Sequence, residues 1–397
     1  MVNTDNERDV SVEGKELIRI VESGPKVLEL KDVVRFESQA EFEDFLLALT
    51  TNNTIQSVYC HGKISFGISL EQWSQMIRAF GGIHSLEHLE FIKHQVPNVF
   101  SLEALTHAVT AENLRQLVLA DGVVVYGTSD DVDAFQQALR RASQLEEFEW
   151  FARLRIRPGG AADASLDTVL LALCECPRVK SVSVNSQTHS RPPIADDTWT
   201  TLVSDSASLR HLTIQTNLSN EWLVVSEALP NCHLESLTFL SYQVNLDDGL
   251  ALWNAMENNS TITHLSLSAN QGFCDTFGLV MGDVLRTSPT VRRVDIRTSL
   301  SPIDNFSEST FKKLLAVLHY NHDLVLQLPY RNDLETLSTE IVTVNRLNEC
   351  GLSRLVECNA ERAEWVDVLG KVSRGEDEVQ DLSCRLKLIL MNPLLCR

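Results

Sequence analysis

One short apolar pattern recurs along the chain and constrains its fold more than any other feature. In Ile262-Thr263-His264-Leu265-Ser266-Leu267 the apolar residues take the first, fourth and sixth places. The same frame starts again at Ile55, Leu86, Leu114, Leu145, Val179, Leu209, Leu234 and Val291. Neighbouring starts lie 25 to 34 residues apart, with Leu209 to Leu234 the shortest interval and Leu145 to Val179 the longest. Such a period holds one strand and one helix, so it predicts stacked helix–strand units.

The intervals between the predicted strands carry helical patterns. Trp73, Met76, Ile77 and Phe80 share one stripe of a helix that follows Ser69, a good capping residue. Several other intervals repeat this arrangement, with an apolar stripe placed after a serine or an aspartate. The sequence therefore predicts an α/β fold in which helices return over one side of a parallel sheet.

The two ends of the array are predicted separately from its middle. Residues 1–25 are polar and acidic, and they are predicted to form a mobile tail ahead of the repeat domain at 26–332. A tenth unit begins at Ser307, and its strand runs into Pro329, which cannot donate to a strand ladder. Residues 333–397 show apolar stripes at helical spacing, and they are predicted to form a C-terminal capping module over the last repeat.

These patterns resemble the ribonuclease-inhibitor-like class of leucine-rich repeat proteins over about residues 27–330. The tail motif Asn345-Arg346-Leu347-Asn348, with Glu364-Trp365-Val366 and the stretch 390–396, is similar to a tail of uncharacterised repeat proteins of diatoms and other unicellular algae. The resemblance implies a horseshoe-shaped leucine-rich repeat solenoid of about ten repeats, and a cytoplasmic interaction protein without an assigned activity. The chain departs from this class eight residues after each start, where only Asn217 and Asn270 supply the expected asparagine.

Charge and composition narrow the partners that the chain can have. Its formal net charge is −20 and its pI is about 4.9, so it repels nucleic-acid phosphates and anionic lipid surfaces. We therefore expect a protein partner with a basic patch, and neither nucleic acid nor membrane. No apolar run reaches membrane-spanning length, and the start lacks a secretory signal, so a cytoplasmic location is expected.

Cofactor and metal chemistry find little support in the sequence. The nine cysteines follow no disulfide framework, and Cys174-x-Cys176 is not the usual zinc spacing, so they are predicted as reduced thiols of the repeat core. No phosphate-binding loop, nucleophile elbow or zinc-protease motif occurs. We expect no cofactor, no metal and no enzyme activity.

Side chains that alternate with the apolar frame are predicted to face the concave side of the sheet. The predicted partner-binding residues on this side are Tyr59, Glu90, Glu147, Glu149, Phe151, His211, His264, Arg293, Asp295 and Arg297. Aromatic rings beside carboxylates are typical of protein-binding surfaces, because rings anchor a partner and charge selects it. In the last full repeat, Arg293 and Arg297 are expected to flank Asp295.

Two catalytic interpretations of this surface are disfavoured. His88, His211 and His264 share one column position but stand in separate repeats, too far apart for one metal ion, so they are predicted as solvated polar side chains. Glu147 and Glu149 could act as a general acid and a general base only if one of them were buried and its pKa thereby raised. Both are predicted on an open strand surface, with nothing to raise a pKa.

The leading hypothesis is a cytosolic scaffold that binds a protein partner on its concave face. The alternative is a regulator of the GTPase-activating type, although no arginine or asparagine stands in a recognisable catalytic context. A substrate adaptor for ubiquitin ligation is disfavoured, because no F-box-like segment stands ahead of the repeats.

Overall fold

A computed structural model describes most of the chain and divides it into two compact units, Met1–Gln215 and Thr216–Arg397. The described residues are 11–31, 33–61, 67–92, 99–156, 166–186, 193–216, 219–243, 245–271, 273–297, 306–321, 323–329 and 331–349. Each unit is an α/β repeat array, in agreement with the predicted fold class.

The first unit alternates strands and helices in the described residues. Its strands are β1 (Ser11–Glu13), β2 (Val27–Leu30), β3 (Val33–Arg35), β4 (Ser57–His61), β5 (His88–Ile92), β6 (Val99–Ser101), β7 (Gln116–Leu119), β8 (Val124–Gly127), β9 (Glu147–Trp150), β10 (Arg153–Ile156), β11 (Ser181–Asn185) and β12 (His211–Thr216). Its helices are α1 (Gly14–Glu22), α2 (Gln39–Thr51), α3 (Leu70–Phe80), α4 (Leu102–Val109), α5 (Ser129–Arg141), α6 (Asp167–Cys174) and α7 (Asp196–Thr200), which a π-helical turn (Thr201–Asp205) continues.

One strand from each repeat enters a parallel sheet. Within this unit the order is β2-β4-β5-β7-β9-β11-β12, and the neighbouring strands pair in parallel. β2 aligns with β4 from Val27 opposite Ser57 to Leu30 opposite Cys60, so it is a regular first strand. Helices α1 to α6 pack one against the next on the side where the apolar frame is buried.

Two small parallel sheets accompany the main one and were not predicted from the sequence. The order of the first is β10-β8-β6, and these strands follow β9, β7 and β5 along the chain. The second pairs β1 with β3. Residues 123–125 are three consecutive buried valines, which are typical of a strand covered on both faces.

The prediction of a mobile tail at residues 1–25 is wrong for residues 11–25. β1 and α1 occupy most of this segment, and α1 packs against α2. Leu17 and Val21 lie four residues apart on one helix face, and both are buried. This short amphipathic helix covers the first repeat. Residues 1–10 lie outside the described residues.

The second unit continues the same alternation. Its strands are β13 (Ser236–Gln243), β14 (His264–Gln271), β15 (Arg293–Arg297) and β16 (Val325–Gln327). Its helices are α8 (Ser219–Ala228), α9 (Leu246–Glu257), α10 (Asp275–Thr287), α11 (Glu308–Tyr320) and α12 (Glu335–Glu349). The strand order is β13-β14-β15-β16 with parallel pairing along β14, β15 and β16, and the helices again pack in succession. β16 ends at Gln327, two residues before Pro329, so it is shorter than the predicted strand that runs into this proline.

The core of each unit lies between its sheet and its helices. Every residue of the nine apolar frames that the sequence predicts is buried, from Ile55 in the first frame to Ile296 in the last. Full burial of such side chains contributes about 1.5–3 kcal/mol each, so the frame accounts for much of the stability of the array.

Asparagines in the helix-to-strand turns donate side-chain hydrogen bonds to backbone carbonyls of the preceding repeat. Asn52 Nδ2 donates to Val21 O at 2.8 Å, and Asn259 Nδ2 donates to Leu229 O at 2.7 Å. The expectation that an asparagine eight residues after each frame start has this role stays a prediction. Asn270 lies within β14, and Asn217 lies outside the described residues.

The last strand is bordered by a helix. Asn345 on α12 makes hydrogen bonds to both the N–H and the carbonyl of Leu326 in β16. Asn348, one turn further, donates from Nδ2 to Leu324 O at 2.8 Å. α12 thus satisfies backbone groups that another repeat would otherwise satisfy. Residues 350–397 lie outside the described residues, so the rest of the predicted capping module stays a prediction.

Candidate protein-binding face

The open face of the first unit is the side of its sheet that alternates with the buried frame. Strand register aligns its side chains in two rows. The first row is Ser57, His88, Gln116, Glu147, Ser181 and His211. The second row is Glu29, Tyr59, Glu90, Val118, Glu149, Ser183 and Thr213. Five of the predicted binding residues therefore share these rows.

Tyr59, His88, Glu90 and Gln116 form a contiguous cluster on three neighbouring strands. The Tyr59 and His88 rings lie 5.0 Å apart between centroids, at an interplanar angle of 45°. His88 Nδ1 is 2.8 Å from Gln116 Oε1, and Nε2 is 3.2 Å from Glu90 Oε2. Each ring nitrogen thus faces an acceptor oxygen.

The prediction of a solvated histidine is wrong for His88. Its side chain is only 16% exposed, because the ring of Tyr59 and the side chain of Gln116 pack against it. His211 is exposed, and three strands separate it from His88 in the same row. The two histidines therefore do not belong to one site.

Glu149 lies at the centre of the acidic part of the open face. It is half-buried, and its neighbours in the register, Val118 and Ser183, are buried. Burial raises the pKa of Glu149, and the negative charges of Glu147 and Glu90 raise it further, while His88 has the opposite effect. The expectation that nothing would raise a pKa here is therefore wrong. The register between strands brings the carboxylates of Glu90, Glu147 and Glu149 close enough to interact electrostatically. The sequence of a single strand does not contain this register.

A second polar group continues the open face onto β2. His61 Nε2 lies 3.4 Å from Glu29 Oε1, and Lys31 Nζ lies 3.5 Å from Glu29 Oε2. These residues were not among the predicted binding residues. Leu28 and Leu30 of β2 are buried, whereas Val27 and Glu29 are exposed. The alternation of Leu28, Glu29 and Leu30 was the signal in the sequence that this strand belongs to the sheet.

Phe151 follows β9 directly and is half-buried at the end of the strand. Its backbone N–H donates to Leu119 O at 2.7 Å, which continues the sheet pattern by one residue. The side chain therefore lies at the margin of the open face, two residues beyond Glu149.

The second unit holds the other four predicted residues. Arg293 Nε is 3.1 and 3.3 Å from the two carboxylate oxygens of Asp295, and Arg297 Nη2 is 3.8 Å from Oδ2. Two arginines flank one aspartate, as expected. Arg293 also approaches Glu349 of α12 at 3.7 Å. His264 is exposed beside Arg293 in the register and lies 2.8 Å from Thr263 Oγ1 through Nδ1.

Asp295 and Arg297 differ sharply in exposure. The Asp295 side chain is 12% exposed, whereas that of Arg297 is 67% exposed. A nearly buried carboxylate with an arginine on either side is a structural ion pair. Arg297 presents the positive charge of this group to solvent.

The described ranges also bear on metal ligation, membrane insertion and thiol reactivity. Across the described ranges, no three His, Cys, Asp or Glu side chains are grouped to hold a metal ion. No helix in that part of the chain is long and apolar enough to cross a bilayer. Burial raises the pKa of the Cys60 thiol, and it raises that of Cys176 to about 12, so these two are unreactive core thiols.

The repeating frame, with one parallel strand and one helix per unit, defines an α/β repeat protein. No family model and no curated protein matches the chain. Among solved structures, it is similar to a chain in the crystal structure of the Rad7 and Elc1 complex in yeast. The identity is 15% and the TM-score is 0.34, over 74% of this chain and 77% of that chain.

Proposed function

We propose that this chain is an interaction protein without catalytic activity, which binds a basic segment of a protein partner on the open face of its first unit. The observation that carries the proposal is the half-buried Glu149, whose pKa is raised by burial and by Glu147 and Glu90. Carboxylates held together in this way repel each other, and groups with perturbed pKa values concentrate at functional sites.

A cationic side chain from a partner would relieve this repulsion. Glu90 and Glu149 both lie next to Val118 in the register, one on each side. Neighbouring strands are about 4.8 Å apart, so the two backbones are separated by roughly 10 Å. A lysine or arginine from a partner fits between two carboxylates at that separation, over an apolar floor.

The aromatic residues beside the carboxylates give the surface an anchoring component. Tyr59 is held against His88, and Phe151 and Ile92 are partly exposed at the strand ends. Rigid aromatic rings supply contact area at small entropic cost, and they also attract guanidinium groups. The net charge of −20 favours approach of a basic partner over long distances.

The second unit exposes a positive charge, in contrast to the carboxylates on the open face of the first unit. We propose that Arg297, which is mostly exposed, contacts an acidic group of the partner, while Asp295 holds the arginine pair in place. Assignment to the ribonuclease-inhibitor-like class, a horseshoe shape and a cytoplasmic location are further parts of the proposal. The repeat period of 25 to 34 residues and the parallel sheet support the class.

The test compares proteins captured from a native extract by the wild type and by two charge-matched double variants. Glu90→Gln/Glu149→Gln removes two charges from the open face, whereas Glu43→Gln/Glu112→Gln removes two from exposed positions on α2 and after α4. We expect at least one protein to be lost with the first variant and kept with the second. Identical sets of captured proteins for all three would contradict the proposal.

A further inference from the structure

Four strands of the main sheet in the first unit are each followed by a short strand and then by a helix. β2 leads to β3 and α2, β5 to β6 and α4, β7 to β8 and α5, and β9 to β10 and α6. β1 and α1 have the same order, because β1 pairs in parallel with β3 and α1 packs against α2. Among the described residues, which begin at 11, no strand of the main sheet precedes them. β1 and α1 thus form a repeat that has a short strand and a helix but takes no main strand from the described residues.

The ten residues ahead of β1 do not carry the apolar frame of a main strand. β2 starts 6 residues before β3, and β5 starts 11 residues before β6, which are the shortest and longest of these intervals. The equivalent strand ahead of β1 would therefore start no later than residue 5. Met1, Val2 and Val10 are the only apolar residues in 1–10, and no two of them have the spacing of three or two that the frame requires.

β2 is the terminal strand of the main sheet, and among the described residues it pairs with β4 alone. Lys26 O accepts from Ser57 N at 3.1 Å, which fixes the phase of the ladder between the two strands. In a parallel pair, alternate residues direct their backbone groups to the same neighbour. The N–H and C=O groups of Val27 and Glu29 therefore point away from β4. A strand edge of this kind is a template for pairing with another extended segment.

Apolar side chains accompany this edge. Val27 is 55% exposed, and Ile20, in the last turn of the helix that leads into β2, is 41% exposed. Leu28 and Leu30 point to the other face and are buried. An added strand would place every second side chain on the side of these two leucines and the others on the side of Val27.

The backbone, rather than charge, defines what this edge can bind. Glu29 is the charged residue within β2, and its carboxylate lies 3.5 Å from Lys31 Nζ and 3.4 Å from His61 Nε2. It is therefore already engaged within the chain. The outward N–H and C=O groups match the backbone of an extended polypeptide, and the neighbouring side chains favour apolar residues at alternate positions.

We propose that the open edge of β2 binds an extended segment of a protein partner, which joins the main sheet as the strand of the repeat formed by β1 and α1. The segment carries apolar side chains at alternate positions, on the side of Leu28 and Leu30. Its backbone pairs with Val27 and Glu29. This edge does not use the carboxylates of the open face, so it is independent of the function proposed for that face.

The test is a fluorescence anisotropy titration of the full chain with a short labelled peptide. In this peptide valine alternates with threonine, and one lysine and one glutamate flank the alternating part, so that its side chains carry no net charge. The same peptide with every backbone nitrogen methylated is the negative probe, because it cannot donate to the edge.

Glu29→Pro removes one outward N–H and places a ring carbon where the added strand would lie. The ladder with β4 does not use this N–H, and proline is tolerated at such positions of an edge strand. The variant should bind the peptide about tenfold more weakly or worse. Glu29→Gln is the matched control, since it removes the charge and keeps the N–H, and it should change the affinity less than twofold. Val27→Pro removes the other outward N–H and should also weaken binding.

Urea unfolding shows whether each variant remains folded at the titration temperature. Equal affinities of folded Glu29→Pro and Glu29→Gln would overturn the proposal, and so would equal binding of the methylated and unmethylated peptides. Failure of the wild type to bind the peptide below about 1 mM would also overturn it. Dimers of the wild type that Glu29→Pro abolishes, without any peptide binding, would assign the edge to a second copy instead.

A separate variant distinguishes this edge from the open face. Glu90→Gln/Glu149→Gln removes two carboxylates of the open face and should leave binding of the alternating peptide intact. Loss of binding in this variant would place the peptide on the open face and overturn the assignment to β2.

Discussion

The side-chain amide of Asn345 forms two hydrogen bonds with the backbone of Leu326, as a neighbouring strand would. Its Oδ1 accepts from Leu326 N at 2.8 Å, and its Nδ2 donates to Leu326 O at 2.5 Å. A sheet edge with unpaired N–H and C=O groups invites further strand pairing. In the second unit, a helix that presents one amide at the right position closes this part of the edge of β16.

We expect Asn345→Leu to lower the free energy of unfolding of the second unit by about 2–4 kcal/mol, because two buried backbone groups lose their partners. Thr336→Ala, at an exposed position of the same helix, is the control and should change it by less than about 0.5 kcal/mol. Urea unfolding followed by circular dichroism measures both. Equal stability of the two variants would show that α12 does not close this edge.

Glu149→Gln should stabilise the chain at neutral pH. The folded state raises the pKa of Glu149, so the folded protein binds more protons than the unfolded chain as pH rises from about 4.5. The contribution of this residue to stability is therefore greatest below the unfolded pKa and falls as pH rises through the folded pKa. Solvent screens a half-exposed side chain, so the gain at pH 7 should stay below about 1 kcal/mol.

The measurement is the difference in unfolding free energy between the wild type and Glu149→Gln from about pH 4 to pH 8. Carboxylates remote from Glu149 titrate equally in both proteins and cancel in this difference. Glu112→Gln, an exposed acid in the turn after α4, provides the comparison. A difference that does not grow with pH would contradict the assigned environment of Glu149.

Asp295→Asn should destabilise the second unit more than Asp323→Asn does. Asp295 is nearly buried and receives Arg293 Nε on both of its oxygens, whereas Arg292 and Asp323 pair where each is about half exposed. Loss of the buried carboxylate leaves Arg293 with only the more distant Glu349, at 3.7 Å, and should lower the free energy of unfolding by about 1–3 kcal/mol. The exposed pair should contribute less than about 1 kcal/mol. Urea unfolding measures the free energy of unfolding of both variants. An equal loss of stability in the two would contradict the structural role assigned to Asp295.

The Cys60 and Cys176 thiols should resist alkylation in the folded protein. Burial raises the pKa of both, and Cys176 Sγ donates to Leu139 O at 3.1 Å. Since the thiolate is the reactive form, iodoacetamide at pH 8 should leave both unmodified in buffer and modify both in urea. Peptide mass spectrometry follows each site separately. Fast modification of either cysteine in buffer would show that its strand or turn opens readily.

The apolar frame alone was sufficient to predict one strand per repeat in the main sheet and the core that these strands cover. Its period of two along each strand marks which residues are buried, as Leu89 and Phe91 of β5 show. The short strands β6, β8 and β10 did not follow from that frame, because they are specified by neighbouring repeats. α1 was missed since its polar surroundings concealed the pair Leu17 and Val21.

The candidate site was predicted only in outline. Tyr59, Glu90 and Glu149 were placed on the correct face by alternation within their own strands. The burial of Glu149 and the contacts of His88 depend on register between strands of different repeats, which one strand's sequence does not contain.

The most direct test of the central claim is the affinity of the partner captured by the wild type for the wild type and for Glu90→Gln/Glu149→Gln. Isothermal titration at low and high salt separates the charge contribution from the rest. Our account expects at least about tenfold weaker binding by the variant at low salt, and a smaller gap at high salt. Equal affinities at both salt concentrations would contradict the assignment of function to the open face.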